Sequence, residues 1–461
     1  MFRNTRHIHL VAIGGIGMSG IAEVLLNLGF TVSGSDLHSS AVTERLESLG
    51  ATFYNGHAPG NIQGADVVVR SSAVTEANSE VTAARALGVP VIRRAEMLAE
   101  LMRLKYGITV AGSHGKTTTT SLVAAVLEKG GLDPTVIVGG RIKAMGTNAV
   151  LGGGDYLVAE ADESDGTFLH LTPTIAVVTN IDYEHIDFYP DMDALRAAFK
   201  KFVLRVPFYG ACVLCVDDPE VRALLPHLDR KTITYGLSAE AEVRADPASI
   251  VTGDFGQESM IWHGDQQLGP IRMILRGRHN LLNALAAVAV ALELGVPFAD
   301  IAAGLAATEG VGRRCEEHGE HDGVVVVDDY GHHPTEVSAI MEVARGFGRP
   351  VKVLFQPHRY SRTLQFAAEF ADALASADAV GLLPVYAASE SQPDGVDSGL
   401  IAGHLQDKGL EKITLLGGHD EIKSWLDEQA PSGSLVLTLG AGDIGRQVAD
   451  ICDHLDQRRG R

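Results

Sequence analysis

Residues 108–131 read ITVAGSHGKTTTTSLVAAVLEKGG, and the order of residue types in that stretch decides the fold. An apolar run, Ile108 to Ala111, meets Gly112-Ser113-His114-Gly115-Lys116-Thr117. Apolar residues then recur at helical spacing (Leu122, Val123, Val126, Leu127), and Gly130-Gly131 stops the pattern. Strand, glycine turn and helix in this order suit a nucleoside triphosphate. Glycines let backbone N–H groups curl round phosphate oxygens, and the helix N-terminus adds partial positive charge. Lys116 is placed to reach the outer phosphates, and the Thr117 hydroxyl to ligate the Mg²⁺ between them. The spacing is G-x-x-G-K-T, with Val110 where a P-loop usually has its first glycine. An ordinary glycine-rich turn shares this outline, but Gly-Lys-Thr between strand and helix favours ATP or GTP.

The chain has 461 residues, too many for one core, so two or three domains are expected. Its formal charge of −20 argues against nucleic acid, which selects basic surfaces, yet leaves room for small anions held in local nests. No apolar run reaches membrane-span length and no leader pattern opens the chain, so a cytoplasmic protein without a membrane partner is expected. Four cysteines are too few for a disulfide scaffold. Cys212 and Cys215 fall inside the apolar run ACVLCV and read as buried thiols rather than half a zinc site.

Upstream, HLVAIGGIGMSGIAEVLLNLG is a second strand–glycine–helix unit with Gly15-x-Gly17-x-x-Gly20. Asp36 ends the next strand, TVSGSD, where a ribose-binding carboxylate is expected. Ser71 and Ser72 sit just past the strand DVVVR. Alone the fingerprint suggests a NAD-dependent dehydrogenase. Beside a triphosphate loop it suggests instead a nucleotide-linked substrate on a first domain, residues 1–106.

Downstream, DYLVAEADESD places Glu160 at a strand end beside the loop, a hard oxygen donor for Mg²⁺. Some of Asp162, Glu163 and Asp165 would only cap the next helix. TIAVVTNIDYEHID delivers Asn180, Asp182, Glu184 and His185 to the same sheet edge, with His185 near a second metal position. Lys200 reads as a solvated helix lysine. Residues 235–275 alternate like a small antiparallel sheet attached to the main one. The helix after RGRH carries Asn280 and Asn283, which either cap it or read an adenine edge.

GVGRRCEE carries two arginines in a linker, and a guanidinium there can reach a γ-phosphate. VVVVDDYGHHPTEV and KVLFQPHRYSRT then end strands in Tyr330, His332, His333, His358, Arg359 and Arg362. Arginines three apart at a strand's carboxyl end suit a carboxylate clamp. Gly440-x-Gly442-x-x-Gly445 is a third glycine turn, assigned to close strand–helix packing.

The series GGIGMSG, GSHGKTT, EADESD, TNIDYEH, GRHNLLNALAA, GVGRR, DDYGHHPTE, FQPHRYSRT and GAGDIG resembles the Mur ligases of peptidoglycan synthesis over essentially the whole chain. The resemblance implies an α/β protein of three domains. They are an N-terminal Rossmann-like domain (1–106), a central P-loop ATPase-type parallel sheet with its small antiparallel sheet (107–311), and a C-terminal Rossmann-like domain (312–461). It implies ATP and Mg²⁺ as cofactors. Gly112, Ser113, His114, Gly115, Lys116, Thr117 and Thr118 would cradle ATP, and Asn280 and Asn283 would contact adenine. Arg314 would touch the phosphates, and Thr117, Glu160 and His185 would serve the metal. Gly15, Gly17, Gly20, Asp36, Ser71 and Ser72 would face a UDP-linked substrate.

The branch indicated joins L-alanine to the lactyl carboxylate of UDP-N-acetylmuramate through an acyl phosphate, as monomer or homodimer. Tyr330, His332, His358, Arg359 and Arg362 would surround the amino acid, with Lys116, Arg314 and His332 serving the chemistry. Related ligases carry a carbamylated lysine near Lys200, which this branch does without. The phenylalanine usual before the two arginines is replaced around Glu309-Gly310. A ligase that attaches a tripeptide to the same sugar, or a nucleotide-dependent binding protein, are the alternatives.

Overall fold

The computed structural model describes residues 5–71, 73–142, 147–184, 188–253, 256–308, 310, 312–388 and 390–458. Ser72 and His185, both expected at binding sites, lie outside the described residues. The chain divides into two compact units, Met1–Ile274 with Asn280–Val311, and Leu275–His279 with Gly312–Arg461. The first unit holds two sheets and the second holds one.

The first sheet has five parallel strands in the spatial order Thr52–Asn55, Thr31–Asp36, His7–Val11, Val67–Arg70, Val91–Arg93. The chain starts in the middle, builds outward one way and then returns to the other side. The crevice at this reversal lies past Val11 and Arg70, where a doubly wound sheet binds its ligand. Helix Ile16–Asn27 begins there.

The central sheet has eleven strands. Its parallel core runs Lys231–Gly236, Ala211–Cys215, Ile175–Val178, Tyr106–Ala111, Tyr156–Glu160, Thr135–Ile142. The strand that opens the phosphate loop is thus central. Its neighbours deliver Thr179-Asn180 on one side and Glu160 on the other, with Val110 in register with Glu160. The expected antiparallel segment exists as Val251–Gly253, Gly256–His263 and Gln266–Met273, and it continues the main sheet through Val243–Ala245. An antiparallel hairpin at the opposite edge (Thr135–Ile142 with Thr147–Val150) was not anticipated.

One apolar core runs through both sheets of this unit, from Ile8, Leu10 and Met97 to Phe168, Phe199 and Phe202. Phe168 stacks on Phe202 at 5.0 Å and meets Phe199 edge-on at 5.4 Å, the offset and T-shaped geometries that aromatic quadrupoles favour. Cys212 and Cys215 are buried in their strand, and burial pushes the thiols up to about 11 and about 12, which disfavours the thiolate.

The last sheet runs Glu316–His321, Val324–Asp329, Leu435–Leu439, Val351–Phe355, Ala379–Leu382, Ile413–Leu415. Only its first strand is antiparallel. Because helices cover both faces, its strands are apolar at successive positions: Val325, Val327, Val353 and Phe355 join one core, and Val324, Val326, Leu354 and Val436 another. The polar residues begin where these strands end.

Candidate active site

In the first unit, the loop of residues 112–115 is held by the segment that ends the neighbouring strand. The His114 backbone N–H donates to Asn180 Oδ1 (2.8 Å), while Asn180 Nδ2 and Thr179 Oγ1 donate to the His114 carbonyl (3.0 and 2.7 Å). Ser113 Oγ donates to the Asp182 carbonyl (3.0 Å) and accepts from the Asp182 N–H (2.8 Å). His114 Nε2 lies 3.1 Å from Asp182 Oδ2. Gly112, at φ +139°, allows this approach, since a Cβ there would stand 2.0 Å from Thr179 Oγ1. These loop side chains, then, fix the backbone rather than project from it.

Lys116 opens helix Lys116–Lys129 and bends back over the loop. Its ammonium donates to the carbonyls of Gly112 (2.5 Å) and Ser113 (3.1 Å) and to both Glu163 oxygens (2.9 Å each). Burial works against this charge, but the Glu163 and Asp162 carboxylates outweigh it and leave Lys116 above its ordinary value. Glu163 is therefore the partner of the loop lysine and not simply a capping acid. Thr117 and Glu160 are half-buried, and Thr118 is buried in the helix. Asp162 hydrogen-bonds the Ser164 N–H and faces Arg94 at 3.5 Å; burial opposes its charge, but Lys116, Ser164 and Arg94 leave its carboxyl below the usual range.

Asn280 and Asn283 are both buried near the start of helix Arg278–Glu293. Asn283 Oδ1 accepts from Thr119 Oγ1 (3.1 Å) and its Nδ2 donates to Asn280 Oδ1 (3.3 Å). A Cβ on Gly115 would stand 2.5 Å from Asn283 Oδ1. The amide pair thus braces the glycine turn and first helical turn of the phosphate loop. Lys200 is half-buried on helix Met192–Val203.

At the first sheet, Asp36 turns to the backbone just before the glycine fingerprint and at its own strand end. Asp36 accepts from the backbone N–H groups of Gly14 (2.9 Å) and Leu37 (2.7 Å). Gly15 precedes helix Ile16–Asn27, and Gly17 leaves space for the Arg94 guanidinium, 2.8 Å from where a Cβ would be. Gly20 is buried within the helix. Ser71 lies in the crevice, its N–H donating to the Val11 carbonyl (3.4 Å).

Behind the crevice is a hub with no signal in the sequence. The fully buried Glu80 accepts from Ser35 Oγ (2.5 Å) and Asn61 Nδ2 (2.6 Å), with His57 Nδ1 at 3.3 Å and His9 Nε2 at 3.7 Å. Burial opposes the charge, but these hydrogen bonds prevail and lower Glu80 to about 2.

In the second unit, the residues after strands Val324–Asp329, Val351–Phe355 and Ala379–Leu382 converge. The Tyr330 and His332 rings meet edge-on at 5.4 Å, and His332 meets His358 at 5.7 Å. His358 stacks on Tyr386 at 5.6 Å and 11°. Tyr386 was not foreseen. It is tied to its neighbour by the Arg359 N–H donating to the Tyr386 carbonyl and the Tyr386 N–H to the Pro357 carbonyl (2.8 Å each). Arg362 Nη1 lies 3.4 Å from His358 Nδ1. Burial first, then the charges of His332, Arg362 and Arg359, push His358 down to about 4, so this ring is neutral at pH 7. Arg359 caps helix Tyr360–Leu374 with φ +69° and an exposed side chain. Tyr330, His332, His358, Arg362 and Tyr386 form one cluster with Arg359 at its edge.

The two adjacent arginines differ in use. Arg313 Nε donates to Asp328 (3.0 Å) and Nη2 to the Gly440 carbonyl (2.6 Å), and Gly445 leaves room for its guanidinium. The third glycine turn therefore seats an arginine. Arg314 lies over the Tyr330 ring (5.1 Å) and 3.5 Å from Glu336. Asp329 accepts from the Cys315 and Gly331 N–H groups (2.7 Å each), yet burial dominates and raises it to about 6.

Three family models cover most of the chain: "Mur ligase family, catalytic domain" at residues 7–106, "Mur ligase middle domain" at 110–291 and "Mur ligase, glutamate ligase domain" at 313–442. The chain is 52% identical to a UDP-N-acetylmuramate–L-alanine ligase of Desulfosudis oleivorans, over 98% of this chain and 99% of that one. It is similar to the crystal structure of the UDP-N-acetylmuramate-alanine ligase of Thermotoga maritima, with TM-score 0.81, 27% identity, and 99% and 100% of the two chains covered. It is also similar to the UDP-N-acetylmuramate:L-alanyl-γ-D-glutamyl-meso-diaminopimelate ligase of Neisseria meningitides, with TM-score 0.61 and 29% identity over 67% of this chain and 100% of that one. The α/β architecture with parallel sheets, the phosphate loop and the order of the motifs agree with these likenesses: the chain belongs to the Mur ligase family.

Proposed function

We propose that the chain joins L-alanine to the lactyl carboxylate of UDP-N-acetylmuramate, with hydrolysis of ATP to ADP and phosphate. The observation that carries this reading is a phosphate loop with an ion-paired lysine in a chain that also holds a cluster of two histidines, two tyrosines and two arginines. A carboxylate and an amine do not condense at neutral pH, because the carboxylate is anionic and has no good leaving group. A carboxylate oxygen therefore attacks the γ-phosphorus first, ADP leaves, and an acyl phosphate results.

Lys116 exchanges its Glu163 contact for phosphate oxygens as charge develops. Thr117 and Glu160 offer hard oxygen donors beside the loop, a set suited to Mg²⁺, with His185 assigned near a second ion. The ion, when bound, neutralises phosphate charge. Asn280 and Asn283 serve the adenine end of the nucleotide through the wall they brace, and Arg314 is assigned to the phosphates.

Arg359 and Arg362 then hold the L-alanine carboxylate, and its amine attacks the acyl carbon. The tetrahedral intermediate collapses by expelling phosphate. His332 takes the proton the amine must lose. Labour divides by sheet: residues 1–106 hold the UDP-sugar through the glycine turn, Asp36, Ser71 and Ser72; residues 107–311 hold ATP; residues 312–461 hold the amino acid. A small amino acid is favoured over a tripeptide because the dense set of Tyr330, His332, His358, Arg359 and Arg362 suits a small ligand held close.

The test is phosphate release with UDP-N-acetylmuramate and ATP, adding L-alanine, L-serine, glycine or the tripeptide in turn. The fastest release is expected with L-alanine. Faster turnover with tripeptide would reassign the amine donor, and release independent of both sugar and amine would point to a nucleotide-driven binding protein.

A further inference from the structure

Glu336, on the first turn of helix Pro334–Arg345, is drawn close to His332 in a way the cap alone does not explain. As the third residue of a capping box, its Oε2 accepts the backbone N–H groups of His332 (3.0 Å) and His333 (3.3 Å). The same Oε2 lies 3.2 Å from His332 Nδ1, and the Tyr330 carbonyl lies 3.2 Å from that nitrogen too. The Glu336 carboxylate and the Tyr330 carbonyl both accept, so Nδ1 carries the proton. In the neutral ring the lone pair then sits on Nε2.

His358 is set the other way. Its Nδ1 faces Arg362 Nη1, which only donates, so Nδ1 is the acceptor and Nε2 carries the proton. Two rings 5.7 Å apart thus hold opposite tautomers, Nε2 an acceptor in one and a donor in the other.

We propose that Glu336 is a positioning residue that fixes His332 in the tautomer able to accept the amine proton. This rests on the ligase reading above. On attack the amine nitrogen bonds to the acyl carbon, its proton passes to His332 Nε2, and the C–O bond to phosphate breaks. The resulting imidazolium is stabilised by the Glu336 carboxylate across Nδ1. Among the described residues, the neighbouring charged or titratable groups include Tyr330, with Arg314 over its ring, and His358, with Arg362 beside it. His279 and Asp329 lie beside Glu336 itself.

The substitution Glu336→Gln keeps a carbonyl acceptor for the cap and removes the charge. The full chain is compared as wild type, Glu336→Gln, His332→Gln and the double variant, each first shown to unfold cooperatively. Wild-type phosphate release that depends on L-alanine is the control: its absence would overturn the ligase reading itself, before any variant is considered. Given that control, Glu336→Gln should lower kcat about 10- to 100-fold, less than the about 10²- to 10⁴-fold of losing acid–base assistance outright, because His332 itself remains. It should move the acid limb of kcat/KM for L-alanine to lower pH by about 1, as loss of a neighbouring carboxylate requires. It should have no further effect in the His332→Gln background. Ring ¹⁵N shifts, with His332 assigned by its own substitution, should show the Nδ1–H form in wild type and a mixture in Glu336→Gln. Equal losses in both backgrounds, an unmoved acid limb or unchanged ¹⁵N shifts would make Glu336 a helix cap only and overturn the proposal.

Discussion

Lys116 has two duties that substitution separates. It balances the buried Glu163 carboxylate, and it serves the phosphates during turnover. Lys116→Ala should abolish ligation and also cost about 3–5 kcal/mol of stability, because it strands a buried charge. Adding Glu163→Gln should recover most of that stability in denaturant unfolding and none of the activity; a Lys116→Ala chain as stable as wild type would show that the pair contributes little. Arg359→Ala should raise the KM for L-alanine about 10- to 100-fold, the worth of a charge-assisted hydrogen bond, and leave the KM for ATP near its starting value. An unchanged alanine dependence would remove Arg359 from the clamp. At this scale the sequence revealed residue types better than partners. Glycine, lysine and threonine at the loop announce themselves by local spacing. Nothing local distinguishes Arg313, which reaches carbonyls 127 residues away, from its neighbour Arg314. Glu336 and Tyr386 were missed, and Glu163 was grouped with capping acids, for the same reason: their roles depend on which strand ends become neighbours.

Elements were more legible than contacts, because strand and helix periods repeat and glycine turns punctuate them. The phosphate-loop strand, its helix and the antiparallel strands from Val251 to Met273 follow from those signals. The edge pair of Thr135–Ile142 with Thr147–Val150 does not: TVIVGGRIKAMGTNAV contains three glycines that mask its alternation. The polar hub under the first sheet was equally hidden, since Glu80 sits in a helix start that reads as an ordinary first-turn acid. Its electrostatics give a prediction. Glu80 titrates at about 2 in the folded chain against an ordinary 4.5, so the folded state holds the proton more weakly than the unfolded state. The resulting stability is present above about pH 4.5 and is lost as pH falls toward 2. Denaturant midpoints measured from pH 6 to pH 3 should fall less steeply for Glu80→Gln than for wild type. Parallel curves would mean that the hub is not what acid disrupts.

Across the whole molecule, three sheets each end in a polar crevice, and each crevice carries a different set of donors: backbone N–H groups with Asp36, a lysine loop with carboxylates, and histidines with arginines. Length and motif order made this division readable, whereas the single apolar core joining the first two sheets was not visible in any one segment. If the UDP-sugar binds at the first sheet, Lys116→Ala should keep its affinity within about threefold by titration calorimetry, as expected for well-separated groups. Joint loss of sugar and ATP binding would count against the division. The central claim is that the sugar's carboxylate is made electrophilic by phosphorylation before the amine arrives. Its most direct measurement uses UDP-N-acetylmuramate labelled with ¹⁸O in the lactyl carboxylate, turned over with ATP and L-alanine. One labelled oxygen should appear in each inorganic phosphate released; label confined to the peptide product and water would contradict the acyl phosphate.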